Sequence, residues 1–94
     1  MTDTQTQIPV FLLPAEADRA LEQMILTIQH LKDIYIRETE ALEAADSRGF
    51  MAMQDEKYIA AQNYQDGIQQ LLERKDELKS ASPVLKASLR GLQQ

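Results

Sequence analysis

From Ala17 onward, apolar residues recur at Leu21, Met24, Ile28, Leu31 and Tyr35, then at Leu42 and Ala45, and Glu38 is the one interruption. The steps alternate between four and three, which is the 3.5-residue period of a helix that packs along a seam. Pro14 suits a first helical turn, and Glu16 and Asp18 follow where the positive end of the helix dipole favours acids. The pattern therefore predicts a helix over about residues 14–45.

Asp46-Ser47-Arg48-Gly49 breaks the period and predicts a turn over 46–49, with Asp46 or Ser47 able to cap the next helix. A second stripe runs through Phe50, Met53, Lys57, Ala60, Tyr64, Ile68, Leu71, Lys75 and Leu78, so a second helix is expected over about 50–81. Gly67 lies inside it at a cost of about 1 kcal/mol relative to Ala, which points to a close helix contact. Lys75 sits in the stripe as a long stem that can lie on apolar surface while its ammonium reaches water. Ser82-Pro83 pairs a capping residue with a first-turn proline, so a short third helix is expected over about 83–92, with Leu85, Leu89 and Leu92 along one side.

Folded at 46–49, the two long stripes match in one antiparallel register. Leu42 faces Met53, Tyr35 faces Ala60, Leu31 faces Tyr64, Ile28 faces Ile68, Met24 faces Leu71 and Ala17 faces Leu78. Glu38, the lapse in the first stripe, then meets Lys57, a lapse in the second, and the two are read as an ion pair that fixes register. No second acid or histidine stands beside them to make an acid–base site. The expected fold is all-α: a long antiparallel helical hairpin, coiled-coil-like, with a short third helix over residues 14–94. Residues 1–13 are expected to form a flexible N-terminal tail whose apolar Ile8–Pro14 stretch folds back as a clasp or serves a partner.

Ile25 and Ile36 lie on one flank of the first stripe, Ile34 on the other and Leu26 behind it; Met51, Tyr58 and Leu72 form a flank of the second. A bare hairpin leaves them in water. They call for the third helix, a second copy of the chain, or a client, so a homodimer or larger helical bundle is expected.

Composition narrows the chemistry. The 94 residues include no Cys and one His, which excludes disulfide frameworks, zinc knuckles, iron–sulfur sites and thiol nucleophiles. His30 stands near Asp33, but the chain has no Glu-x-x-His of the kind a ferritin-like metal bundle needs, so His30 is read as solvated and no metal or cofactor is expected. The acid run Glu38, Glu40, Glu43 and Asp46 is read as a solvated face. An enzyme is not expected. The net charge is −5, and residues 1–47 carry nine acids against three bases. In the second half Glu73, Arg74, Lys75, Asp76 and Glu77 intermix the signs, so no basic stripe forms and nucleic acid is not an expected partner. The longest apolar run, Val10–Leu13, falls far short of the ~20 residues of a membrane span. Asp3 without an early Lys or Arg does not make a secretory signal peptide.

Glu38-Thr39-Glu40-Ala41-Leu42-Glu43-Ala44-Ala45-Asp46, then Lys57, then Leu71-Leu72-Glu73-Arg74-Lys75 resemble FlgN-type flagellar export chaperones over residues 31–78. The resemblance implies a small, acidic, cytoplasmic helical hairpin with an additional C-terminal helix. It also implies a non-enzymatic role, holding hook-associated subunits before secretion through the flagellar type III apparatus. Members of that family usually continue beyond the position of Gln94, with the client-binding part towards that end. Extended onto this chain, the resemblance makes Ile25, Leu72, Leu85, Leu89 and Leu92 the candidate partner-binding residues, taking an amphipathic helix of the client. The alternative is a structural or scaffolding coiled-coil subunit with no transient client.

Overall fold

A computed structural model of the chain describes residues 11–92. It is all-α, with no strand among the described residues: α1 (Ala17–Glu43), α2 (Ser47–Ala52), α3 (Gln54–Glu73), α4 (Lys75–Leu78) and α5 (Pro83–Leu92). α1 packs antiparallel on α2 and α3 as a hairpin, and α5 returns to lie on α1.

The first helix starts at Ala17, not Pro14. Glu16 keeps an extended backbone, and its carbonyl accepts the first helical bond from Ala20 N–H at 2.9 Å. The carbonyls of Pro14 and Ala15 are held elsewhere, at 2.8 and 2.6 Å from the guanidinium of Arg74. α1 ends at Glu43 because Ala45 turns left-handed, at φ 56°. Asp46 N–H donates to Ala41 O at 2.8 Å and Ala45 N–H to Leu42 O at 3.1 Å, the two bonds of a Schellman motif. An alanine fills the position where glycine costs least. Asp46 then caps the following helix, its carboxylate accepting from Gly49 N–H at 2.8 Å. A Cβ at Gly49 would run into that same carboxylate, 2.8 Å from its Cγ. One residue thus closes α1 and opens α2.

The expected second helix, 50–81, is three helices. It breaks at Met53, whose N–H bonds Phe50 O at 3.2 Å in a tightened turn, and at Arg74, whose N–H is shared between Gln70 O and Leu71 O. After α4 the chain leaves helix until Pro83, anchored by buried Ala81. Lys75, expected to lay its stem along the seam, is exposed at this break.

The hairpin forms as expected, but the buried face of α1 is rotated in its second half. Ala20, Met24, Thr27, Leu31, Ile34, Glu38 and Ala41 are buried at a strict four–three spacing. Tyr35, at 46% exposure, and Leu42, at 63%, turn outward, so neither pairs in the core as the stripe of large residues predicts. Ala60 packs with Leu31 and Ile34 in place of Tyr35. Small residues decide this. Alanine and threonine let the helices approach, whereas counting only bulky residues shifts the seam by a residue.

The larger core cluster gathers Leu13, Ala20, Leu21, Met24, Ile28, Leu71 and Ala81 at the open end, with Phe11, Leu85, Leu89 and Leu92 packed against it. At Gly67 a Cβ would collide with Met24 Sδ and stand 3.3 Å from Phe11 Cε2, so the glycine marks a close contact on which the chain entry also closes. Residues 11–13 are therefore docked. Leu13 is buried, its N–H donates to Gln70 Oε1 at 2.8 Å, and Gln70 Nε2 donates to Phe11 O at 2.6 Å. The remainder of the expected tail, residues 1–10, lies outside the described residues.

Candidate functional site

α5 rests on the core without entering it, with Leu85, Leu89 and Leu92 packed against the larger cluster. Its ten residues include none that is buried, and a helix of that length is not stable alone in water. It starts beside Asp18, whose carboxylate accepts from Ser82 N–H at 2.7 Å, and Ser82 Oγ stands 3.4 Å from Leu85 N. From there it runs parallel to α1 until Leu92 shares a groove with Gln29.

Two apolar grooves flank α5. One is lined by Leu21, Ile68, Leu71, Leu72, Leu89 and Arg90, and the other by Glu22, Ile25, Leu26, Gln29, Leu85 and Leu92. The five candidate partner-binding residues are thereby divided. Leu72 and Leu89 belong to the first groove, whereas Ile25, Leu85 and Leu92 belong to the second. They do not form one continuous surface while α5 is seated, because the helix that carries three of them lies between the other two. Leu72, 63% exposed, is the most open of the five. Leu26, behind the stripe and in need of cover by the pattern, finds it in this groove; Gln29 is polar and outside the stripe, and only the course of α5 along α1 brings it in.

Glu38 and Lys57 meet in the other half of the hairpin. Glu38, 7% exposed, accepts from Gln54 Nε2 at 2.7 Å and from Lys57 Nζ at 3.1 Å. Gln54 in turn donates to Phe50 O at 3.0 Å, and the Lys57 ammonium lies 5.6 Å from the centroid of the Tyr35 ring. The hydrogen bond from Gln54, followed by Lys57, holds the Glu38 carboxyl below the usual carboxylate range against the opposing effect of burial. Gln54 is the member that the heptad pattern missed, being outside the stripe.

His30 is not left to water alone. Its Nε2 lies 2.8 Å from Glu56 Oε2, which also receives Arg37 Nη2 at 3.1 Å, while Arg37 Nε donates to Asp33 at 3.0 Å. His30 first and Arg37 second depress the Glu56 carboxyl. The network ties α1 to α3 on the side away from α5. No group of three or more His, Asp or Glu side chains suited to a metal ion occurs among the described residues.

Both depressed carboxyls set a pH dependence. A group whose folded pKa lies below its unfolded value stabilises the fold above the unfolded value, about 4.3 for glutamate, and loses that contribution as pH falls through the folded value. Urea midpoints should therefore drop as pH is lowered through the carboxylate range. Glu38→Gln, which cannot titrate, should flatten that drop while lowering the midpoint at neutral pH. A variant with the parent's pH slope would show that Glu38 does not contribute to it.

No helix among the described residues is long and apolar enough to cross a membrane. No protein-family model, curated protein or solved structure matches the chain.

Proposed function

We propose that the chain is a cytoplasmic, non-enzymatic export chaperone or adaptor that binds an amphipathic helix of a client, with hook-associated flagellar subunits as the client class. The observation that carries the reading is the position of α5. It is an amphipathic helix with no buried residue, lying between two apolar grooves on a hairpin that has its own core. A client helix with apolar residues at i, i+3, i+4 and i+7 fits such a surface, either beside α5 or in its place. Where it takes the place of α5, Ile25 and Leu72 come onto one continuous surface with Leu21 and Leu71. The resemblance of residues 31–78 to FlgN-type chaperones supplies the client class.

The test is calorimetric titration of the chain with the terminal helices of a hook-associated subunit. Binding is expected, and Leu72→Asp should weaken it at least tenfold by putting a charge into an apolar contact, as should Leu89→Asp where the client lies beside α5. Both side chains are at least partly exposed, so the circular dichroism of the variants should stay helical. Parent-level affinity in both variants, or no binding by the parent, would reject the reading.

A further inference from the structure

α1 carries a second stripe, Leu21, Ile25, Ile28, Lys32, Tyr35, Thr39 and Leu42, again at four–three spacing. α5 seats over its first half. Beyond Gln29 no helix among the described residues seats on it, and only the Lys57 ammonium reaches its edge, 5.6 Å from the Tyr35 ring: Lys32, Tyr35, Thr39 and Leu42 are all exposed, with Ile36 and Glu43 exposed beside them. This bare half is independent of the grooves assigned to a client.

Its residues are arranged so as to complement themselves in reverse. A cation, Lys32, stands at one end and an anion, Glu43, at the other, and neither has an ion-pair partner among the described residues. Between them lie Tyr35 and Ile36 on the side of Lys32 and Leu42 on the side of Glu43. Turned end for end about a point near Thr39, the strip sets Tyr35 against Leu42 and, within a turn, Lys32 against Glu43. A two-fold axis requires this of an interface, since each contact must occur twice with its partners exchanged. A strip with one sign of charge would repel its copy.

We infer that the second half of α1 is a dimerisation face, occupied by the same strip of a second copy running antiparallel, so that two hairpins join as a bundle. Each interface then holds two Lys32–Glu43 contacts at its rim around an apolar centre made by Tyr35, Ile36 and Leu42 of both copies. The inference does not rest on the client reading, because the residues involved line neither groove beside α5.

Sedimentation equilibrium over a micromolar concentration series tests it. The parent should show a reversible monomer–dimer equilibrium. Leu42→Glu should abolish the dimer, and as Leu42 is exposed the variant keeps its helices. Lys32→Glu and Glu43→Lys should each weaken association about tenfold by setting like charges together, and the double exchange should restore it. A parent that stays monomeric overturns the inference, even if a client helix binds the strip. So does a dimer that Leu42→Glu leaves intact, or a double exchange no tighter than either single reversal.

Discussion

Gly67→Val should destabilise the fold by about 3 kcal/mol, because a branched side chain must enter space already filled by a fully buried methionine. Alanine is a milder probe, since the gain in helix propensity of about 1 kcal/mol offsets part of its overlap with Met24 Sδ. Valine brings two further methyl groups and no comparable propensity. For a chain of this size the loss corresponds to a fall in Tm of roughly 15 °C, read by thermal denaturation followed by circular dichroism. The decisive measurement is the cycle with Met24→Ala. That change alone should cost 2–5 kcal/mol, in the range of about that size for buried Met→Ala. Combined with Gly67→Val it should cost less than the sum, by about 1–2 kcal/mol, because each change fills or vacates the same space. Strict additivity would place the valine elsewhere.

Ile34→Ala should cost about 2–4 kcal/mol, whereas Leu42→Ala in dilute protein should change stability by no more than about 0.5 kcal/mol. Ile34 is fully buried in the small cluster with Leu31 and Ala60, while Leu42 projects into solvent.

 Ala60, which packs against Ile34, is itself too small to fill the space that the substitution would leave. If the seam instead followed the large residues Tyr35 and Leu42, the order of the two costs would be reversed. Urea denaturation of the two variants therefore distinguishes the two rotations of α1 directly.

That rotation also marks the limit of what the pattern of residues could reveal. The hairpin, its register at Glu38 and Lys57, the cap at Asp46 and the tight approach at Gly67 follow from spacing and residue type, because each depends on neighbours a few positions away or on a matched lapse in two stripes. The seam past Leu31 does not. Ala41 and Ile34 compete there with Leu42 and Tyr35, and hydrophobicity favours the latter pair, while close packing favours the smaller face. The end of α1 falls within two residues of the predicted position, but the left-handed turn that makes it is not announced, since Ala45 carries no glycine there. At the candidate site, Leu85, Leu89 and Leu92 could be recognised as an apolar side in need of cover. Their separation from Leu72 by the body of α5 depends on where that helix lies, which no periodicity within it encodes. Gln54, Gln70 and Arg74 are polar residues outside the stripes, and their partners are backbone groups or a carboxylate distant in sequence.

The clasp made by Gln70 and Arg74 has a consequence for the order of assembly. Its hydrogen bonds join residues 57 to 60 positions apart, and the whole hairpin lies inside the loop they close. The corner at Asp46, by contrast, is built from bonds spanning three to five residues. Local contacts carry a small loop-closure cost and distant ones a larger cost, so the corner can form early and zip α1 onto α3. The clasp can close only after both helices are paired, because Gln70 and Arg74 reach the entering segment from α3 and its end. The segment Phe11–Ala15 thus acts as a latch that engages only after the hairpin has paired and, by the same reasoning, is released before the hairpin itself opens.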